Sequence, residues 1–143
     1  FLRPLGLRLV RRHVIIHVAG GTLLGALGGR LDHALANLMM VVRAARHGAW
    51  AEIRAEGVRI VRVNGSYTLA GARGSTISLL PLGTARGVSI RGCYYLIDDY
   101  TLESDSSRGM SNVVTADEAV ITVREGDLLL FHYSDIHGHG ESA

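Results

Sequence analysis

Three groups of residues in this 143-residue chain have types and spacings suited to chemistry. The first is Gly25-Ala26-Leu27-Gly28-Gly29-Arg30-Leu31-Asp32-His33. A glycine turn running into a helix lets a ligand approach backbone amides, and the amino end of the helix favours negative charge. Arg30 adds a flat fork able to hold a phosphate through two hydrogen bonds. Asp32 could orient that arginine or help a metal ion, and His33 titrates near neutrality. The pattern describes a phosphate site at Gly28, Gly29 and Arg30. It describes equally well a plain glycine turn with a capping aspartate and a surface arginine.

The second group is Gly92-Cys93-Tyr94-Tyr95-Leu96, then Asp98 and Asp99, then Arg108-Gly109-Met110-Ser111-Asn112. Tyr95 could stack on a flat heteroaromatic ligand while Ser111 and Asn112 hydrogen-bond its edge. The competing reading puts Tyr95 in the core and Ser111-Asn112 in a turn. Asp98-Asp99 reads as a solvated loop rather than a paired acid and base. The third group, His132 with His137 and His139, has residues that can ligate a metal, but its Ser/Asp/Gly-rich setting reads as an unstructured tail.

Composition removes other chemistries. All 15 basic residues are arginine, so P-loop, Schiff-base and kinase-strand lysines are excluded, and any phosphate must be held by arginine and backbone amides. Cys93 is the single cysteine, which excludes an internal disulfide and a cysteine-built zinc site and suggests a reducing compartment such as the cytoplasm. Residues 1–50 hold seven arginines against one acid, +6, and residues 51–143 hold eight against twelve, −4. A nucleic-acid surface in the basic part would need interleaved aromatics, and only Phe1 and Trp50 are there, so no nucleic-acid partner is expected. Arg11-Arg12 before Val14 to Leu27 imitates a leader. His17, the interrupting glycines and the lack of a cleavage site speak against one, and the run falls short of the ~20 residues of a membrane span.

These groups need elements to position them. The β-branched run Val14 to Val18 predicts a strand, the glycines at 20, 21, 25, 28 and 29 a turn, and Leu31, Leu35, Leu38, Met39 and Val42 one apolar helix face ended by Gly48. After Trp50 the period becomes two. Strands are expected at 51–55, 58–63, 67–69, 76–80, 88–90, 94–97, 119–123 and 128–132, separated by turns at Glu56-Gly57, Gly71, Gly74, Gly83, Gly87, Ser104 to Ser107 and Glu125-Gly126. Asn64-Gly65 is the strongest hairpin signal. The expected fold is an α/β remnant (strand, glycine turn, helix; residues 1–49) followed by an all-β sandwich (residues 50–143).

Taken in order, GALGGRLDHALANL, SLLPLG, RGCYYLIDDYTLESDSSRGMSN and a glycine before LLLF resemble thiamine pyrophosphokinase (thiamine diphosphokinase) over about residues 24–132. The resemblance implies transfer of a pyrophosphoryl group from ATP to the hydroxyethyl arm of thiamine, with magnesium, by a homodimer holding thiamine between subunits. It implies an α/β nucleotide domain followed by a thiamine-binding sandwich. Arg30 and Asp32 would serve catalysis on the ATP side with Gly28 and Gly29, and Tyr95, Ser111 and Asn112 would surround the thiamine ring. The family also carries an acidic, magnesium-binding cluster upstream of its GGRxDH motif. Here Asp32 is the one acid before Glu52, so the nucleotide domain reads as truncated and this polypeptide alone as a poor kinase. The alternative is a non-catalytic thiamine-binding or dimerisation module.

Overall fold

The computed structural model describes residues 21–24, 30–55 and 57–134. The predicted strand Val14 to Val18 and the turn glycines Gly25, Gly28 and Gly29 lie outside those residues. Gly21, read as part of the glycine turn, instead opens strand β1 (Gly21–Leu24). Helix α1 (Leu31–Arg46) follows, and β2 (Ala51–Ala55) returns parallel to β1, with Gly21 opposite Ala51. This is a β-α-β unit, in which the helix supplies the long connection that parallel strands require.

α1 starts from Arg30 in extended conformation, has Asp32 in its first turn and Arg43 and Arg46 in its last, and ends where Gly48 turns to φ +75°. Its buried row is Leu38, Val41 and Val42. The predicted face is corrected here: Leu31 is 75% exposed, and Leu35 and Met39 are also exposed. The 3.6-residue period defines an apolar stripe wider than one contact row. Packing on Ile53, Val58, Ile60 and Leu129 selects the part that is covered.

The next strand, β3 (Val58–Arg62), lies antiparallel to β2 with Ala55 opposite Val58. The hairpin expected at Asn64-Gly65 does not form. β3 takes β9 (Glu125–Tyr133) as its other neighbour, and β4 (Ser66–Ala70) pairs with β8 (Glu118–Thr122) in the facing sheet. Asn64-Gly65 is therefore a corner between sheets. The Val63 N–H donates to the Leu128 carbonyl at 2.8 Å and the Val123 N–H to the Gly65 carbonyl at 2.8 Å. Turn chemistry fixes where the chain bends, not which strand it meets.

The two strands expected at 76–80 and 88–90 are one, β5 (Thr76–Arg91). Its first half pairs with β9, and its second half pairs with β6 (Ile97–Glu103) and β8. Register shifts at Leu82/Arg86 and on either side of Val88 bend it from one sheet into the other, so Gly83 and Gly87 are bends inside a strand rather than turns. Glu125-Gly126 likewise opens β9. The strand expected at 94–97 begins only at Ile97, which places Asp98 and Asp99 on β6, exposed, and not in a loop. The two-residue β7 (Asn112–Val113) pairs with Thr76 and Ile77.

Among the described residues, one helix lies on a curled, mainly antiparallel sheet that folds over itself as a sandwich. Alternation along β9 fills two cores. Leu128 and Leu130 join Val61, Leu69, Ile77, Leu102 and Ile121 between the sheets, while Leu129 faces the helix. Hydrogen bonding between β1 and β2 carries the sheet across the boundary expected near residue 49.

Candidate functional site

The Arg30–Asp32 group stands at the start of α1. The Arg30 Nε and Nη2 donate to the two carboxylate oxygens of Asp32 at 3.1 and 2.5 Å, and Asp32 also accepts the His33 N–H at 3.0 Å. Both side chains are mostly exposed, at 73% and 61%. The Arg30 guanidinium holds the Asp32 carboxyl below its ordinary range. The pair is thus closed on itself, its fork and both oxygens already matched. Gly28 and Gly29 lie outside the described residues.

The second group lies where two loops meet at the β7 edge. Gly92 turns with φ +77°, and a Cβ there would run into the Glu118 carbonyl. Cys93 then bridges to Val114, and the Tyr94 N–H donates to the Val113 carbonyl at 2.8 Å. Tyr94 and Tyr95 are 70% and 61% exposed and meet edge to face with centroids 4.9 Å apart, so Tyr95 is not a core residue. Ser111 is exposed with φ +55°, a conformation few non-glycine residues adopt. Asn112 is the reverse, 3% exposed. Its Oδ1 accepts the Tyr95 N–H and the Val113 N–H, both at 2.9 Å, and its Nδ2 donates to the Tyr95 carbonyl at 2.7 Å. Three of the four hydrogen bonds a carboxamide can make go to backbone. The structure therefore brings Tyr95, Ser111 and Asn112 together, with the Asn112 amide facing inward and Tyr95 and Ser111 exposed. No hydrogen bond or ion pair among the described residues joins this group to Arg30 and Asp32.

Sequence reasoning missed Ser78. It is 5% exposed on β5, and its Oγ accepts the Ser111 N–H at 3.0 Å. A polar residue at a strand position between Ile77 and Leu79 was its one signal.

Other candidates fall away on geometry. His132 Nε2 lies 2.9 Å from Ser75 Oγ, and that hydroxyl donates to the Ala72 carbonyl at 2.5 Å, so the histidine is committed to the fold. Burial, with Arg59 nearby, holds its pKa below the ordinary value. His137 and His139 lie outside the described residues. Burial pushes the Cys93 thiol up, away from the nucleophilic thiolate. Among the described residues no cluster of His, Cys, Asp or Glu has the makings of a metal cage, and Asp32 spends both oxygens on Arg30. The described residues do not fit a resident magnesium ion.

The arch through Tyr95 and the Gly109–Asn112 turn fall within one recognised segment. Residues 64–128 match the family described as thiamin pyrophosphokinase, vitamin B1 binding domain. The resemblance read from the motifs holds. Solved thiamin pyrophosphokinases share the fold. The chain superposes on the Geobacillus thermodenitrificans protein with a TM-score of 0.71 and 26% identity, over 81% of this chain and 54% of that one. For the Bacillus subtilis thiamine pyrophosphokinase the values are 0.74, 18%, 80% and 55%. For the Candida albicans thiamin pyrophosphokinase they are 0.68, 16%, 80% and 44%. The chain spans about half the length of these structures. No curated protein matches it. No helix among the described residues is long and apolar enough to cross a membrane.

Proposed function

We propose that this chain binds thiamine at the Tyr95–Ser111 surface, as the vitamin-binding part of a thiamine diphosphokinase that moves pyrophosphate from ATP to thiamine. One observation carries the reading. Within the segment that matches a vitamin B1 binding domain, the exposed residues Tyr95 and Ser111 stand at one edge, where the Asn112 side chain is hydrogen-bonded to the Tyr95 backbone. The Tyr95 face stacks on a thiamine ring, and the Ser111 hydroxyl meets a ring nitrogen or amino group. Arg30, with Gly28 and Gly29 beside it, takes the ATP phosphates, and Asp32 steadies the arginine. Magnesium belongs to this reading as the companion of ATP. A homodimer gives the open Tyr95 surface its second wall, and a cytoplasmic setting suits the lone buried Cys93.

A second reading rests on Arg30 and Asp32. Their mutual pairing uses the groups that phosphate and metal would need, which favours a non-catalytic thiamine-binding or dimerisation module.

Calorimetric titration of the chain with thiamine and with ATP tests both readings. Thiamine binding that weakens by about 1–3 kcal/mol in Tyr95→Ala, the scale of a lost stacking contact with its buried area, supports the site. Equal affinity in the variant removes it. ATP binding by the chain favours the enzyme reading, and thiamine binding without ATP binding favours the module.

A further inference from the structure

Two buried polar side chains stand directly behind the proposed thiamine surface, and only one of them lies in the motif that marks it. Asn112 ties the Tyr95 backbone at both its N–H and its C=O. Ser78, on β5, holds the neighbouring turn by accepting the Ser111 N–H. That turn is otherwise pinned through Gly109, whose carbonyl accepts the Leu79 N–H at 2.7 Å and whose α-carbon leaves no space for a Cβ, since the Leu79 carbonyl oxygen would lie 2.5 Å from it. Ser111 holds φ +55°, a left-handed conformation that is strained for a non-glycine residue and persists only where the surroundings impose it.

From this we infer that Ser78 is a positioning residue for thiamine recognition: its hydroxyl oxygen keeps Ser111 in the left-handed conformation that turns the Ser111 hydroxyl toward the ligand beside Tyr95. The inference rests on the thiamine reading above. Ser78 sits behind the turn, and its hydrogen bond goes to a backbone amide. Its effect is on population. Without the bond Ser111 relaxes into an ordinary backbone basin, and apparent affinity falls by the fraction of molecules that leave the competent state. Asn112 plays the matching part for the ring, anchoring the arch that carries Tyr95. The pair explains why a motif of adjacent Ser and Asn serves two unlike purposes, one side chain facing out and the other facing in.

Three measurements on the full chain test this: thiamine affinity by calorimetry, hydrogen exchange at the Ser111 amide, and the thermal midpoint without ligand. Ser78→Ala is expected to weaken thiamine binding about ten-fold and strip protection from the Ser111 amide, whereas Ser78→Thr, which keeps a hydroxyl acceptor, restores both. In a Ser111→Gly background, where the left-handed conformation is unstrained, Ser78→Ala should cost little further affinity, so the two changes are non-additive. A general structural role would lower the midpoint without this coupling. Should Ser78→Ala fail to fold, Ser78→Cys, a weaker acceptor of similar shape, takes its place. Wild-type affinity in Ser78→Ala alongside weakened binding in Tyr95→Ala overturns the inference and leaves the thiamine site standing. Unchanged binding in Tyr95→Ala, or no thiamine binding by the parent chain, overturns both.

Discussion

At the scale of single residues the protein separates presenting from holding. Tyr95 and Ser111 are exposed, while Asn112 and Ser78 behind them are closed to solvent. Arg30 follows another pattern, since its bidentate contact with Asp32 must open before a phosphate can use the fork. Arg30→Lys is expected to weaken ATP binding, because a point charge cannot reproduce the two-pronged contact. ATP titrations that superimpose for the two proteins would make Arg30 a bystander. His132 yields a pH prediction. Burial, then Arg59, lowers its folded pKa, so the unfolded chain takes up a proton first as pH falls. Its contribution to stability is complete above the ordinary histidine value of 6.5 and declines as pH drops below it toward the lowered folded value. Urea midpoints should fall over that interval in the parent chain and fall less in His132→Gln.

At the scale of elements, charge locks the helix to the sheet. Asp127 on β9 accepts from Arg46 of α1 and, at 2.9 Å, from Arg62 of β3. Burial pushes the Asp127 carboxyl up, but the two arginines outweigh it and hold it below the ordinary range. The stabilisation is therefore present above the unfolded carboxylate value, near 3.8, and is lost as pH falls through the lower folded one. Asp127→Ala should destabilise the chain by roughly 1–3 kcal/mol, the scale of lost charged hydrogen bonds, and flatten its acid unfolding profile below pH ~4. A parent-like profile would show that the lock carries no weight. Glu52 plays a like part between Arg54 and Arg59, at 2.8 and 2.6 Å. Gly92→Ala tests the arch itself. Its φ of +77° and the nearby Glu118 carbonyl leave no place for a methyl group, so a loss of more than about 1 kcal/mol in chemical denaturation is expected. How far the elements were legible follows the same physics. Period-two runs such as Ala51 to Ala55 and Ala119 to Val123 declared themselves, because alternation is a local property. Gly83 and Gly87 misled because a glycine with positive φ marks a bend without saying whether a strand ends there, and Asn64-Gly65 because a turn does not say which strand the chain meets next.

At the scale of the whole molecule, one group of exposed apolar side chains among the described residues lies at the proposed site. Tyr94, Tyr95, Leu96, Met110 and Val113 are all exposed and come from the two joined loops and the β7 edge between them. One patch of this kind is the expected mark of an interface. If it closes a homodimer around thiamine, Leu96→Glu and Met110→Glu should each shift sedimentation toward monomer, and thiamine affinity should fall with dimer content. A parent chain that sediments as a monomer at all concentrations would place the second wall elsewhere. Leu31, Leu35 and Met39 form a second exposed row, on α1. The site was legible to the extent that it is made of neighbours in sequence. The Cys93–Leu96 arch and the Gly109–Asn112 turn each showed the right residue types, and their order carried the family resemblance.

From the sequence alone came the residue classes, the change of period after Trp50, the absence of lysine and the motif order that points to a thiamine-binding sandwich. These are short-range properties, set by each residue's own chemistry and by neighbours a few positions away. Tertiary structure alone decided that β5 serves both sheets, that Asn112 faces inward and that Ser78 stands behind Ser111. Each of these depends on which distant strand or loop arrives alongside. That choice is made by burial of the two cores and by satisfaction of backbone hydrogen bonds over the whole chain, a balance no local window contains.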